Sequence, residues 1–282
     1  MELEIDPLDL DMTLGCGQTF RWRRAGDGSW SGPLGERLVT LRMDGGILYV
    51  SAKPGGEGVV EDVARHLRAE DDIDRIQLTL SKDRVLGQGI RRLRGLRIVK
   101  TDEWECLVSF ALATYANIPR ISRMIDSLAT EYGRRIAPGT HEFPDHARLS
   151  KASVRDLRRL GLGYRADYVK GICDSVDAEG LNRMTRMDLT RLREGLKALP
   201  GVGDKVADCV SLFGFGRLEA FPIDVWMERA LKRLYGQEGT YRRLREFAAE
   251  RFGPFAGYAQ EYMYMNERGM ASGQACAFSE QR

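Results

Sequence analysis

The chain has 282 residues, 43% hydrophobic and 30% charged, with a formal net charge of only +2. That is the make-up of an ordinary globular protein of about two domains, and the charge does not by itself announce a nucleic-acid partner. No apolar run approaches the roughly 20 residues of a membrane span, and five cysteines scattered at 16, 106, 173, 209 and 276 form no disulfide framework.

Met1 to Asp11 carries five acidic residues and no basic one, unlike a signal or transit peptide, so a cytosolic or nuclear setting is expected. Strands are expected at Gln18 to Arg24, Leu38 to Met43 and Ile47 to Ala52, which are rich in aromatic and β-branched residues. Asp44-Gly45-Gly46 joins the last two as a hairpin, and Gly26-Asp27-Gly28-Ser29 marks another turn. Val59, Val60, Val63, Ala64 and Leu67 then fall at helical spacing, and nothing beyond reads as strand. Helices are expected at about 82–95, 103–116, 118–135, 153–161, 165–179, 188–198, 204–215, 224–235, 240–252 and 256–268. A composition shift near residue 98 divides a β-rich domain, 1–98, from a helical one, 99–282, giving an α+β fold.

Two stretches are basic. Arg84 to Lys100 holds six basic residues and no acidic one, and Arg148 to Lys170 holds seven against two. Such runs are usually solvated helix faces and admit DNA contact without requiring it. His66, His141 and His146 offer no ligand spacing, so no metal or other cofactor is expected.

The segment Leu199-Pro200-Gly201-Val202-Gly203-Asp204-Lys205 lies between two helical patterns. Gly201 and Gly203 can take positive φ without steric cost, and Val202 can anchor the turn in the core. The turn's amides then sit at a helix start, where an anion such as a DNA phosphate is favoured. A plain helix-capping turn is the alternative. Lys205 falls in the first turn of the next helix, where a cation is disfavoured; this pushes toward the neutral amine that a Schiff-base nucleophile must be. Cys209 is four residues on, hence on the same face, as a pocket wall or a core residue. Asp224, after Pro222, is placed to cap the next helix. Two helix N-termini, one with an amine and one with a carboxylate, can activate the amine and stabilise a cationic sugar as a base departs.

LPGVGxK with an aspartate nineteen residues after the lysine resembles the helix-hairpin-helix/GPD superfamily of DNA glycosylases, and within it the 8-oxoguanine DNA glycosylases. Four further stretches agree: Gly17-Gln18-Thr19-Phe20-Arg21-Trp22, Asn117-Ile118-Pro119-Arg120-Ile121, Leu160-Gly161-Leu162-Gly163-Tyr164-Arg165, and Gly253 through Gln260. The resemblance implies a TBP-like antiparallel β domain followed by two helical subdomains with the active site between them. It implies attack by Lys205 at C1′ with Asp224 assisting, then β-elimination. The Gly17 carbonyl would accept the N7–H that 8-oxoguanine has and guanine lacks. Cys209 and Tyr264 would sandwich the extruded base, with Gln260 on its Watson–Crick edge; Gln260 and Tyr264, four apart, share a helix face. Tyr164 would wedge into the stack, and Arg120 and Arg165 would bond the widowed cytosine. Eukaryotic members carry a run of asparagines at Tyr115-Ala116-Asn117, and Tyr115 replaces the one that contacts cytosine, so a strict preference for cytosine is not implied.

The implied partner is double-stranded DNA containing 8-oxoguanine, with no membrane and no small-molecule cofactor. A monomeric, cytoplasmic, prokaryotic enzyme acting on the nucleoid is expected. An alkylpurine glycosylase would keep Asp224 without needing Lys205. An adenine or thymine-glycol enzyme would normally add a four-cysteine cluster near the C-terminus, where only Cys276 stands. A non-catalytic binding module would use the hairpin alone.

Overall fold

The computed structural model describes residues 1–271; Cys276 and the remainder lie outside the described residues. Five strands form one antiparallel sheet in the order β1-β5-β4-β3-β2: β1 (Glu2–Glu4), β2 (Arg23–Arg24), β3 (Trp30–Leu34), β4 (Arg37–Asp44) and β5 (Ile47–Lys53). Gly45 and Gly46, both at positive φ, make the two-residue turn between β4 and β5, whose twist suits a hairpin. Val39, Leu41, Leu48 and Val50 alternate onto one face. There they share a core with Leu10 and Leu14 of α1 (Leu10–Gly15) and with Val59 and Val63 of α2 (Val59–His66).

Of the stretch 18–24, expected as a strand, only Arg23 and Arg24 pair with a neighbour. Gln18 explains the departure. Its buried amide donates to the Thr13 and Arg97 carbonyls at 3.2 and 2.9 Å, and its oxygen accepts from the Val99 N–H at 2.9 Å. These bonds pull residues 16–20 away from the sheet, and Cys16 and Phe20 pack in the helical core instead. Gly17 is thereby carried toward the helices.

The remainder comprises α3 (Ile73–Leu80), α4 (Leu86–Gly89), a 3-10 turn (Ile90–Leu93), α5 (Glu103–Leu112) and α6 (Ile118–Tyr132). Next come a small hairpin, β6 (Arg135–Ala137) with β7 (Thr140–His141), and then α7 (His146–Leu149), α8 (Val154–Arg159), α9 (Arg165–Ser175) and α10 (Ala178–Met184). The chain closes with α11 (Leu189–Lys197), α12 (Asp204–Phe213), α13 (Val225–Tyr235), α14 (Tyr241–Phe252) and α15 (Ala256–Ala271).

Three expectations are corrected here. Pro138-Gly139 turns a short hairpin where no strand is expected. The helix expected at 82–95 is broken, because Asp83 caps the Val85 and Leu86 amides, both at 2.9 Å, and starts a fresh turn. The helix expected at 165–179 stops at Ser175, since Val176 is extended and Asp177 caps α10. α5 runs through the helical core, buried from Cys106 to Leu112, and packs against α6, α9 and α12. Ile73, Ile76, Leu80, Leu86 and Ile90 belong to this helical core although they precede residue 98. Among the described residues no helix is long and apolar enough to cross a membrane.

Candidate active site

α11 and α12 are joined by the glycine turn. Gly201 has φ +77, and a β-carbon there would lie 2.4 Å from the Tyr168 ring, so both its backbone and its packing require glycine. Val202 is buried as an anchor. Gly203 departs from expectation: its φ is −92, extended backbone that N-caps α12 with no cap from a side chain. A β-carbon on Gly203 would meet nothing within 4 Å, so the turn's backbone faces open space.

Lys205 is half-buried in the first turn of α12, its ammonium nitrogen 5.3 Å from the centre of the Phe110 ring. Asp224 N-caps α13, accepting from the Met227 amide at 3.0 Å. A buried network ties these two helix starts together. Arg193 of α11 holds Asp208 at 2.6 Å and Asp204 at 3.1 Å. Tyr241 of α14 donates to Asp208 at 2.7 Å and accepts from the Ile223 amide at 3.2 Å, one residue before Asp224. Burial pushes the Asp208 carboxyl up, against the pull of Arg193.

Both side chains open into one cavity of about 400 Å³, mouth included. Gly17, Cys209, Gln260 and Tyr264 line it too, so all six residues expected at the excision centre meet there. Gly17 sits at φ +104, and a β-carbon there would approach the Ile118 side chain to 2.9 Å. Cys209 is buried against Lys205; burial pushes its thiol up to about 11 although the lysine lowers it. Gln260 is 5% exposed, and its Oε1 has no hydrogen-bond partner. An unpaired buried acceptor costs about 1–3 kcal/mol, which a ligand N–H would relieve.

Cys16, Phe110, Phe213, Pro222 and Glu261 complete the wall, and of these the sequence motifs mark only Pro222. Glu261 had a signal, the one charged residue inside the helix stretch 256–264. A larger hollow of about 1050 Å³ lies between Glu36, Asp102, Trp104, Arg134, Glu142 and His146, but it gathers none of the candidate residues. Its Glu142 is already held by Arg134 at 2.7 Å and Arg148 at 2.6 Å.

The opposite-base candidates cluster elsewhere, around the turn between α5 and α6. Tyr115 is 94% exposed and, unusually for a non-glycine residue, sits at φ +50. Asn117 caps α6 through the Arg120 amide at 3.0 Å, and the Arg120 side chain is exposed. Tyr164 is 47% exposed, its hydroxyl on the Thr114 carbonyl at 3.1 Å. Arg165 is buried rather than presented at the surface, its guanidinium spent on the Thr114 and Tyr115 carbonyls and stacked over Tyr164 at 4.4 Å. Only its Nη1 lacks a partner.

The model for the N-terminal domain of 8-oxoguanine DNA glycosylase matches residues 1–107, and the HhH-GPD superfamily base excision DNA repair model matches residues 108–254. The chain is 33% identical to the N-glycosylase/DNA lyase OGG1 of Arabidopsis thaliana, covering 95% of this chain and 79% of that protein. It is 29% identical to a probable N-glycosylase/DNA lyase of Methanothermobacter thermautotrophicus, over 95% and 96% of the two. The 8-oxoguanine glycosylase/lyase of Clostridium acetobutylicum, solved with duplex DNA carrying cytosine opposite 8-oxoG, superposes with a TM-score of 0.87 at 27% identity, over 94% and 93% of the chains. With both models matched in order along the chain and a relative 33% identical over 95% of it, the chain belongs to the 8-oxoguanine DNA glycosylases of the HhH-GPD superfamily.

Proposed function

We propose that this DNA glycosylase/lyase extrudes 8-oxoguanine from duplex DNA into the Lys205–Asp224 cavity and excises it there. The observation that carries the reading is the meeting of an amine and a carboxylate, each at a helix start, in one cavity lined also by the buried Cys209 and Gln260 and the half-buried Tyr264. The Lys205 nitrogen attacks C1′; the C1′–N9 bond breaks and the base leaves with its electron pair. Asp224 stabilises the positive charge that develops on the sugar. Ring opening gives a Schiff base, and loss of a C2′ proton expels the 3′ phosphate.

Base recognition follows from the lining. Cys209 and Tyr264 stack on the two faces, Gln260 Oε1 accepts from the Watson–Crick edge, and the Gly17 carbonyl accepts N7–H, which guanine lacks. A site built for such a bond rejects a partner without it by up to ~10⁴–10⁵. The amides of Gly201, Val202 and Gly203 hold a phosphate without reading sequence. Tyr164 fills the gap left by the base, while Tyr115, Asn117 and Arg120 face the orphaned partner. Arg165 reaches that base only through Nη1 and otherwise holds the turn. The same reading has the enzyme work as a monomer on cytoplasmic, nucleoid DNA.

Borohydride trapping on a duplex with one 8-oxoguanine tests the nucleophile. Wild type forms a covalent adduct and Lys205→Gln forms none; an adduct that persists in the variant removes Lys205 from the chemistry.

A further inference from the structure

One group in the cavity has no part in the chemistry above. Glu261 is 4% exposed, and its Oε2 has no hydrogen-bond partner. It lines the same cavity as Lys205, Asp224 and Gly17. A carboxyl buried with an unpaired oxygen is costly, and a folded protein keeps one where a ligand satisfies it.

Its surroundings hold it beside the loop that carries Gly17. The Cys16 thiol donates to the Thr13 carbonyl at 3.4 Å and lines the cavity beside the carboxyl. Arg268, two turns further along α15, donates to the Cys16 and Gly15 carbonyls at 2.6 and 3.1 Å. The charged and titratable groups facing Glu261 are Lys205 and Cys209 from α12, Asp224 from α13, Cys16 from the loop after α1, and Tyr264 and Arg268 from its own helix. Burial is the dominant influence and Asp224 adds to it; Arg268 and Lys205 oppose them, leaving the carboxyl pushed up to about 8. Below that pH the group is a neutral acid with an O–H to give.

We propose that Glu261 is a base-contacting residue that donates a hydrogen bond from its carboxyl to a ring carbonyl oxygen of the extruded oxidised purine, next to the N–H taken by Gly17. The inference rests on the 8-oxoguanine reading of the cavity. The adjacent donor and acceptor match an edge on which C=O and N–H alternate, as oxidation at C8 produces. Ionised, the same carboxylate would meet that carbonyl oxygen as a like partner and repel it.

The test compares two reactions of the same enzyme under single-turnover conditions from pH 6.5 to 9.5. One is excision of 8-oxoguanine from a duplex; the other is strand cleavage at a preformed abasic site, which leaves the base pocket empty but still uses Lys205. Their ratio cancels whatever the two reactions share, including any loss of fold. For wild type the ratio is expected to be flat below about pH 8 and to fall about tenfold per unit above it. Glu261→Gln keeps a donor that does not titrate, so its ratio stays flat throughout. Glu261→Ala lowers the ratio about tenfold at every pH below 8, the loss of one buried hydrogen bond. A wild-type ratio that is flat or rises through pH 8, or an alanine variant with the wild-type ratio, overturns the proposal. Abasic cleavage with no 8-oxoguanine release by wild type overturns the substrate reading as well.

Discussion

The proposed excision cavity and the proposed opposite-base surface are built in contrasting ways. Around Lys205 and Asp224 the side chains are buried or half-buried, and the backbone is fixed by two helix N-caps and by the Arg193–Asp208–Tyr241 network. Gln260 and Glu261 each keep a buried oxygen without a partner. At the turn between α5 and α6, Tyr115, Asn117, Arg120 and Tyr164 are exposed instead, and the buried Arg165 spends itself on the turn's carbonyls. The first site is organised before DNA arrives, as electrostatic catalysis requires. The second offers a surface that DNA itself must complete. On the proposed reading, lesion chemistry is set by the fold, while the choice of partner base rests on a few replaceable side chains.

Asp224→Asn strikes the organised side hardest. Asparagine caps a helix about as well as aspartate, so α13 loses no more than about 0.5–1 kcal/mol. The carboxylate charge is gone, and excision should fall on the order of 10²-fold, read by single-turnover base release. A variant as fast as wild type would make Asp224 a cap and nothing more.

Tyr241→Phe acts on the same region from a distance. It takes the acceptor from the Ile223 amide and a donor from Asp208, which should cost about 1–3 kcal/mol in denaturant unfolding. Because the phenol fixes α12 relative to the start of α13, excision should also drop about tenfold at a temperature where the variant is fully folded. If the rate tracks only the folded fraction, the network is structural and does not position the two groups.

Much of the excision side could be read from the sequence because short-range rules governed it. A lysine after PGVG, an aspartate before an apolar helix and an i, i+4 pair each have local consequences. Gly17 was carried by its motif, yet the strand expected around it did not form, since Gln18 bonds to residues some eighty positions away. Gly203 kept its place at the helix start but not its expected φ. Glu261 and the Arg193–Asp208–Tyr241 network stayed hidden because their meaning depends on contacts among α11, α12, α14 and α15 that no spacing rule specifies. Of the basic runs, Arg97 is buried on the Pro7 and Arg68 carbonyls, while Arg94 and Arg158 are exposed and pair with Asp74 and Asp167, as solvated faces allow.

Tyr115→Asn is the smallest change and bears on the exposed side. The residue holds φ +50, where a bulky side chain costs about 1 kcal/mol and asparagine costs less. Its side chain, 94% exposed, gives up almost no packing when shortened. Stability should therefore rise slightly, by up to about 1 kcal/mol in thermal melts. An asparagine amide at this point can hydrogen-bond a cytosine edge, which an aromatic ring cannot match for one base over another. Excision opposite cytosine should stay near the wild-type rate while excision opposite adenine, guanine and thymine falls a few-fold, measured with the four duplexes in parallel. Equal rates before and after the change would move the control of partner choice to Arg120, the remaining exposed cation of this surface that the motif singles out.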